Sequence, residues 1–407
     1  MNIAVLSFYY PPDIGAAANR ISGFVEKWKE KDNINNIIVI TTVPHYPSGR
    51  MRAPYHANKL YIEKKGRLTV YRVPTLLAGA KDSISKRLLG QIVFAVKALK
   101  LVPLLGVKPD VIIISSPPLA IALPGLILAY KFKVPLITEI RDLWPESLIE
   151  IKKIYKLHPV VIFASLFARF LYKKSRVLVG VTQGITKRLR EYKSEVMWIP
   201  NGIDLKLLKN YKEEGILPHN KVFTIIYTGL IGYMQELERV VEAFRLLKNR
   251  KDIQLLIVGS GSKEKVIREI IRRYGLETQV KLLGEKPRAE VIRLIQKSHV
   301  GLVSLQNIRL FKDAFPSKVF DYILCKKPIL STVKGELAEF IKEYQIGVTV
   351  ESQKAAEIIK VIELIKNNYS DYIKNIEKNL SILTRRFDSE SLAEKYINSI
   401  KNWIEVK

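Results

Sequence analysis

Short runs of β-branched and aliphatic residues alternate along the chain with longer segments of helical periodicity. In the first half the runs read NIAVLSFYY, NNIIVIT, LTVYRVP, DVIIIS, PLITEI and RVLVGVT. In the second half they read FTIIYTG, IQLLIVG, VKLLG, GLVSL, KPILS and IGVTV. Such runs are typical of strands covered on both faces, with the intervening helices forming the crossovers of a parallel sheet. The alternation predicts an α/β protein with doubly wound, Rossmann-like parallel sheets.

A break between the two series falls at WIPNGIDLKLLKN, where a Pro-Asn-Gly turn follows a strand and Asp204 can cap a short helix. A chain of 407 residues exceeds what one hydrophobic core usually organises. We therefore predict one domain over residues 1–199 and a second over residues 200–385. The last segment, SLAEKYINSIKNWIEVK, has helical spacing, and we expect residues 386–407 to form a helix that crosses back to the first domain.

The formal net charge of +28 points to an anionic partner, which is a nucleotide, a nucleic acid or an acidic membrane surface. Nucleic acid is disfavoured because no RNA-recognition motif, zinc module or arginine-rich arm accompanies the charge. One cysteine, Cys325, excludes an internal disulfide framework, and the five histidines include no pair at ligand spacing on a helix. We expect a cytoplasmic protein that holds no metal.

The stretch VIIISSPPLAIALPGLILAY, residues 111–130, carries no charge over its twenty residues. Three prolines divide it, so we expect a strand, a turn and a buried helix rather than a membrane span. Between residues 81 and 195 there are 20 Lys and Arg against 8 Asp and Glu, interleaved with apolar stretches. Basic and apolar residues on helices are typical of proteins that lie on an anionic leaflet, although ordinary covering helices can share the pattern. We expect peripheral contact with the inner face of the cell membrane.

Turns that follow strands are where open α/β sheets bind ligands. The first is PPDIGAAANRISGF, in which Gly15 and three alanines leave the backbone bare for a phosphate or sugar. We expect Arg20 to lie in the first turn of the next helix, where a cation opposes the helix dipole unless an anion lies nearby. We interpret Gly15 and Arg20 as ligand-binding residues; the alternative is a small-residue packing contact with Arg20 in solvent.

Two further turns carry candidate residues. The turn IVGSGSKEK supplies Gly259 and Gly261, but Glu264 stands where a dinucleotide-binding pattern has its third glycine, which counts against a nicotinamide cofactor. In PLITEIRDLWPES a strand ends in Arg141 and Asp142, which suit the wall of a binding cleft. An ion pair with no role in binding is the alternative for Arg141 and Asp142.

The stretch FKDAFPSKVFDYIL places Asp313 in a loop and Asp321 more than one turn inside a helix that we expect to begin at Pro316. A carboxylate accepts two hydrogen bonds and so grips vicinal hydroxyls, whereas Lys318 and the free amides of a helix start suit phosphate. Acids for sugars and a cation for diphosphate together predict a nucleotide-sugar site.

Taken together, PPDIGAAANR, EIRDLWPES, PNGID, IVGSG and PSKVFDY followed by KKPIL resemble one family over nearly the whole chain. It is the retaining glycosyltransferases of family 4, which have the GT-B fold of two Rossmann-like domains facing a cleft and carry two glutamates separated by seven residues. The similarity is greatest to the members that build O-antigen, capsule or other lipid-linked glycans. The resemblance implies that Asp313 approaches the donor sugar and that Asp321 binds the nucleotide ribose.

The sequence departs from the family in three ways. Both acids are aspartates rather than glutamates. Leu230 and Gln235 stand where many relatives carry an arginine and a lysine for the diphosphate, and Arg141-Asp142 replaces a His-Asp pair. Charge neutralisation is therefore expected from Lys318, Arg20, Arg288 or Arg141. The full set of expected donor-binding residues is Asp321, Lys318, Ser317, Gly15, Arg20, Gly229, Gly259, Gly261 and Arg288, with Asp313, Asp142 and Arg141 as catalytic candidates.

The resemblance implies a retaining transferase that moves a sugar from a nucleotide-sugar donor to a lipid-linked oligosaccharide or polysaccharide. Members of the family are thought to use front-face displacement, in which the leaving phosphate takes the acceptor proton. No Asp-x-Asp occurs in the chain, so a metal-bound diphosphate has no expected ligand set and we expect no cofactor. Three alternatives stay open: a nucleotide-sugar epimerase of the same fold, a nucleic-acid-binding protein and a non-catalytic subunit.

Overall fold

A computed structural model describes residues 1–152, 155, 157–206 and 222–405 of the chain. The chain divides into two compact units. Unit 1 comprises Met1–Pro200 together with Ser389–Lys407, and unit 2 comprises Asn201–Asp388. Each unit is built on its own sheet.

Unit 1 is built on an eight-stranded sheet in the order β3-β4-β2-β1-β5-β6-β7-β8, parallel except for the antiparallel β3–β4 pair. Its strands are β1 Asn2–Ser7, β2 Asn36–Thr42, β3 Tyr61–Lys65, β4 Leu68–Val73, β5 Val111–Ser116, β6 Leu136–Ile140, β7 Val177–Gly180 and β8 Val196–Trp198. Its helices are α1 Ala16–Trp28, α2 Ile84–Leu99, α3 Ala122–Phe132, α4 Glu146–Lys152, α5 Pro159–Lys174, α6 Gln183–Leu189 and, from the end of the chain, Ser389–Glu405.

Unit 2 has a six-stranded parallel sheet in the order β11-β10-β9-β12-β13-β14. Its strands are β9 Phe223–Thr228, β10 Ile253–Val258, β11 Val280–Gly284, β12 Val300–Val303, β13 Ile329–Ser331 and β14 Gly347–Thr349. Its helices are α7 Leu237–Ala243, α8 Glu264–Tyr274, α9 Arg288–Gln296, α10 Lys318–Leu324, α11 Glu336–Tyr344, α12 Ala355–Asn367 and α13 Tyr369–Phe387, so the helix Ser389–Glu405 is α14.

The predicted pair of parallel α/β sheets is confirmed, and every run named in the sequence analysis contains a strand. The stretch 111–130 forms β5, a 3₁₀ turn over Leu119–Ile121 and most of α3, as the prolines indicated. The helix is not buried on all sides as we expected, because Leu123, Ile127 and Tyr130 are exposed by 41%, 39% and 88%. Nowhere among the described residues is a helix both long and apolar enough to cross a membrane. One strand that the patterns did not indicate is β3, an edge strand whose residues are all partly or fully exposed.

Alternation along the strands of unit 1 separates two layers of helices. Residues such as Ile113 belong to a core that α1 and α14 cover, with Trp28 stacked on Phe24 and edge-on to Tyr396. The indole of Trp28 also donates a hydrogen bond of 2.9 Å to the carbonyl of Ala393. Ile114 points to the other face of the sheet, where Gly125 of α3 packs directly on it. The residues of α14 thus complete the core of unit 1.

Several expected boundaries shift in the structure. Helix α10 begins at Lys318, with Ser317 as its N-cap, rather than at Pro316, and it is only seven residues long. Arg20 lies at the fifth position of α1 instead of in its first turn. The carboxylate of Asp204 accepts a hydrogen bond from the amide of Lys206, but the rest of the short helix expected there lies outside the described residues.

Candidate functional site

The carboxyl ends of β9 and β10 in unit 2 are held together by glycine backbone. Gly229 and Gly259 both have positive φ, 129° and 138°, and a Cβ on Gly259 would lie 1.8 Å from the carbonyl oxygen of Gly229. A Cβ on Gly261 would lie 2.2 Å from the carbonyl oxygen of Ile231. Only glycine permits this approach. Gly259 and Gly261, expected to bind the donor, therefore have a structural role that the sequence pattern could not distinguish from binding.

Lys318, the first residue of α10, extends across the end of β9. Its ammonium lies 3.6 Å from the centroid of the Tyr227 ring. It is also the atom that a Cβ on Gly229 would meet, at 3.3 Å. Burial lowers the pKa of Lys318 to about 7, although the neighbouring carboxylate of Asp321 raises it. An anionic ligand at this position would favour the protonated form of the Lys318 amine.

Asp321 stands one turn further along α10 and is held by Arg288, the first residue of α9. The guanidinium donates two hydrogen bonds to the two carboxylate oxygens, one of them 2.7 Å long from Nη1 to Oδ2. The side chain of Arg288 is 44% exposed and that of Asp321 is 14% exposed. The pair therefore lies at the surface of unit 2 in reach of a ligand, and two residues that were predicted separately act as one group.

Asp313 ends the 3₁₀ helix Arg309–Asp313, and only residues 314–317 separate it from α10. The chain thus keeps Asp313 close to the start of α10. Leu230 and Gln235 carry no cation here, and the Gln235 side chain instead accepts a hydrogen bond of 3.0 Å from the amide of Gly232. Lys318 and Arg288 are accordingly the cations that the structure places around Asp321.

The corresponding turn of unit 1 is organised by Asp13, a residue that sequence reasoning missed. Its buried carboxylate accepts hydrogen bonds of 2.8 and 2.7 Å from the amides of His45 and Tyr46. Burial raises the pKa of Asp13, while His45 and these backbone amides lower it. Gly15 is the N-cap of α1 and faces the ring of Tyr46, which a Cβ would approach to 3.4 Å. The signal available was an acid directly after Pro-Pro at a strand end.

Arg20 lies inside unit 1. Its Nε atom pairs with Glu139 Oε2 at 3.0 Å, and its two other nitrogens donate to the carbonyls of Pro200 and Ile199 at 2.8 and 2.6 Å. The side chains of Arg20 and Glu139 are 4% and 0% exposed. The anion expected near Arg20 is thus a carboxylate of the protein. The placement of Arg20 gives no support to its assignment as a ligand-binding residue, and we do not retain it in the donor site.

Arg141 and Asp142 follow β6 directly. The amide of Arg141 donates to the carbonyl of Ser116 at 2.9 Å and its guanidinium donates to the carbonyl of Pro117, so Arg141 bridges the ends of β5 and β6. Asp142 is exposed. These two residues lie at the carboxyl edge of the sheet of unit 1, where the sequence predicted the wall of a binding site.

Two family models match this chain. The model described as Glycosyltransferase Family 4 matches residues 44–207, and the one described as Glycosyl transferases group 1 matches residues 210–380. Among curated proteins, WcaI of Escherichia coli, assigned as a glycosyl transferase of colanic acid biosynthesis, is 25% identical over 427 residues. The alignment covers 98% of this chain and all of WcaI.

Solved structures share the fold over the whole chain. Sucrose-phosphate synthase from Thermosynechococcus elongatus superposes with a TM-score of 0.77 at 15% identity and full coverage of both chains. HepE from Anabaena, in complex with UDP and glucose, gives a TM-score of 0.69 at 14% identity, covering 99% of this chain and 100% of HepE.

WaaG, a glycosyltransferase involved in lipopolysaccharide biosynthesis, superposes with a TM-score of 0.71 at 13% identity. The superposition covers 98% of this chain and 99% of WaaG. Structural similarity at this level of identity establishes the fold, whereas the family models concern the activity. The two family models match consecutive parts of the chain, and these solved structures share its two-sheet architecture. The protein is therefore a glycosyltransferase of the GT-B type and of the family 4 type.

Proposed function

We propose that this glycosyltransferase moves a sugar from a nucleotide-sugar donor to a lipid-linked oligosaccharide or polysaccharide acceptor, with retention of the anomeric configuration and without a metal ion. The reaction is placed at the cytoplasmic face of the membrane. The observation that carries the donor half of the proposal is the cluster of Lys318, Asp321 and Arg288 beside the end of β9.

The cluster fits the chemistry of a nucleotide sugar. The carboxylate of Asp321 can accept hydrogen bonds from the vicinal hydroxyls of a ribose, sharing its lone pairs with Arg288. The ammonium of Lys318 can meet the diphosphate at the bare backbone of Gly229. HepE, which shares the fold, has been solved in complex with UDP and glucose, and this supports a nucleotide sugar as the donor.

Catalysis in this proposal rests on positive charge that is in place once the donor has bound. As the bond between the sugar and the diphosphate breaks, negative charge grows on the leaving phosphate, and cations already in place stabilise it without reorganisation. Lys318 and Arg288 supply those cations, and Asp313 contacts the donor sugar. Ser317, the N-cap of α10, stands beside Lys318. In unit 1, Arg141 and Asp142 are proposed to meet the acceptor.

The acceptor class is supported by the relatives rather than by a contact in the structure. WcaI is assigned to colanic acid biosynthesis and WaaG acts in lipopolysaccharide biosynthesis, and both processes build surface glycans. We extend this acceptor class to the present chain.

The test begins with a thermal-shift panel of nucleoside diphosphates and nucleotide sugars, since a ligand that binds only the folded state raises the melting temperature. The donor selected in this way is then supplied in labelled form with and without a membrane lipid extract, in the presence of a metal chelator. We expect label to enter the lipid fraction only when the extract is present. Donor conversion that is indifferent to the extract would indicate the epimerase alternative instead.

A further inference from the structure

Three neighbouring helices of unit 1 expose apolar residues in stripes. On α2 the exposed residues are Leu89, Ile92 and Val96, at fractional exposures of 51%, 47% and 51%. Their spacing of three and four residues places them on one side of the helix. The opposite side of α2, which includes Phe94 and Ala98, is buried. Helix α2 is therefore apolar on both faces, which burial in unit 1 alone does not explain.

Helices α3 and α5 repeat the pattern. On α3 the stripe is Leu123, Ile127 and Tyr130, and Tyr130 is 88% exposed. On α5 four apolar residues at helical spacing are exposed: Val160 at 52%, Phe163 at 71%, Leu166 at 60% and Phe170 at 49%. Helix α3 contacts both α2 and α5. The stripes thus belong to one surface, which we call the α2–α3–α5 face, and an extended apolar patch of this kind marks an interaction surface.

The charge of the same helices is of one sign. None of the three contains an aspartate or a glutamate. Their cations are Lys86, Arg87 and Lys97 on α2, Lys131 on α3, and Arg169, Lys173 and Lys174 on α5. The ammonium of Lys174 lies 5.8 Å from the centroid of Phe170, so charge and apolar ring are presented together.

We propose that the α2–α3–α5 face docks on an anionic lipid bilayer, with Tyr130, Phe163 and Leu166 entering the boundary between headgroups and acyl chains. Long basic side chains can keep their charged ends at the headgroups while their stems lie on apolar surface. A second copy of the chain is a poorer occupant, because two such faces would bring cations against cations. The inference rests on the proposed function, whose lipid-linked acceptor lies in such a bilayer.

The experiment is co-sedimentation of the full chain with vesicles of phosphatidylcholine alone or mixed with about one third phosphatidylglycerol. The test variant is Tyr130→Ser/Phe163→Ser/Leu166→Ser. Its matched control is Leu246→Ser/Leu364→Ser/Ile382→Ser, which removes three apolar residues of unit 2 exposed by 52%, 44% and 54%. We expect the wild type and the control to bind mixed vesicles, to bind neutral vesicles at least tenfold more weakly, and to lose affinity in salt. The test variant should bind mixed vesicles at least tenfold more weakly than the wild type.

A second measurement does not depend on loss of binding. The emission of the four native tryptophans is subtracted by recording the wild type under the same conditions. In Phe163→Trp the remaining emission should shift to shorter wavelength on mixed vesicles by more than it does in Leu246→Trp. Equal sedimentation of the test variant and the wild type, equal binding to neutral and mixed vesicles, or a wild-type dimer that the test variant converts to a monomer would each overturn the proposal.

Nucleotide binding separates this proposal from the proposed function. The test variant should keep the thermal shift that the selected nucleoside diphosphate gives to the wild type, because its substitutions leave unit 2 unchanged. Vesicle binding without any nucleotide shift would support the docking face and count against the proposed transferase reaction. A thermal shift with the nucleoside diphosphate but no binding to vesicles would support the proposed transferase reaction and count against the docking face.

Discussion

Lys318 Nζ lies 3.6 Å from the centroid of the Tyr227 ring, and Tyr227 is completely buried. The ring attracts the ammonium, but the burial that comes with it favours the neutral amine, so the pKa of Lys318 falls to about 7. An anion bound at this site would favour the protonated amine and raise its pKa. Binding of an anion beside Lys318 would therefore be coupled to uptake of a proton.

Nucleotide affinity should depend on pH through this group. Above the free-state pKa of about 7 the amine must be protonated before it can pair with the diphosphate. We predict that affinity falls as pH rises from 7 to about 9, by at most tenfold per pH unit, the limit for one proton. Calorimetry in buffers of different ionisation enthalpy measures the uptake. In Lys318→Arg, whose side chain stays charged, the dependence should flatten; a profile of the same slope in both proteins would contradict the assignment.

Replacement of Asp321 should separate nucleoside from diphosphate recognition. Asp321→Ala removes the carboxylate proposed for the ribose but keeps the side chains of Lys318 and Arg288. Because the loss of this carboxylate lowers the Lys318 pKa further, affinities are compared well below pH 7. We predict a 10- to 100-fold loss of affinity for the selected nucleoside diphosphate, which corresponds to about 1.5–3 kcal/mol for hydrogen bonds to a charged group. Inorganic diphosphate should bind no worse than to the wild type, as measured by calorimetry. Asp371→Ala, at an exposed aspartate of α13, is the control, and equal losses for both ligands would be inconsistent with a ribose role.

Replacement of Asp313 should slow sugar transfer without changing the affinity for the nucleotide. Asp313→Asn keeps the shape of the side chain and removes its charge. We predict that transfer slows roughly 10- to 100-fold and that affinity for the nucleoside diphosphate, which lacks the sugar, is unchanged. Single-turnover transfer and calorimetry give the two quantities. Weakened nucleotide binding with unaltered transfer would place Asp313 elsewhere in the site.

The Arg20–Glu139 pair should matter for stability. Glu139→Ala leaves the Arg20 guanidinium buried without its anion, which costs about 3–5 kcal/mol in comparable cases. The tryptophans at 28, 144, 198 and 403 all lie in unit 1, so their fluorescence during urea unfolding reports this unit alone. Glu195→Ala, at a half-exposed ion pair of the same unit, should cost less than about 1 kcal/mol. Similar losses for the two variants would argue against a structural role for the buried pair.

The contact between Gly229 and Gly259 should not tolerate a side chain. Gly259→Ala adds a Cβ 1.8 Å from the carbonyl oxygen of Gly229 at a φ of 138°. Gly284→Ala is the matched control, because Gly284 also has a positive φ, 70°, but has open space around its Cβ position. We predict that Gly259→Ala lowers the free energy of unfolding by more than about 3 kcal/mol and Gly284→Ala by about 1 kcal/mol, followed by circular dichroism. Equal effects would mean that the loop ends separate readily.

The strands and sheets could be predicted from local patterns, because a buried parallel strand is a short run of β-branched and aliphatic residues that the sequence shows directly. The edge strand β3 did not, since its sequence YIEKK is polar and exposed and pairs with β4 through backbone hydrogen bonds. The first residue of α10 was also misplaced. A proline at 316 favours a helix start but does not require one, and the regular hydrogen bonds begin two residues later.

Within the site, residue types were predictable and pairings were not. The run PSKVFDY indicated a lysine and an acid close together, and both lie on α10. Nothing local indicates that Arg20 pairs with Glu139, 119 positions away, or that Arg288 holds Asp321, 33 positions away. Such partners are set by which strand ends become neighbours in the sheet. A cation in a strand-end turn can serve a ligand or the protein, and only its partners in three dimensions decide which.

Helix α14 follows unit 2 in the sequence, yet it closes the aromatic core around Trp28, which precedes unit 2. During synthesis on the ribosome, unit 2 is made in full before that helix exists. Unit 1 must therefore hold an incomplete core, with its apolar groove unfilled, while nearly half of the protein is still being translated. The core of unit 1 is therefore completed only after unit 2 has been synthesised.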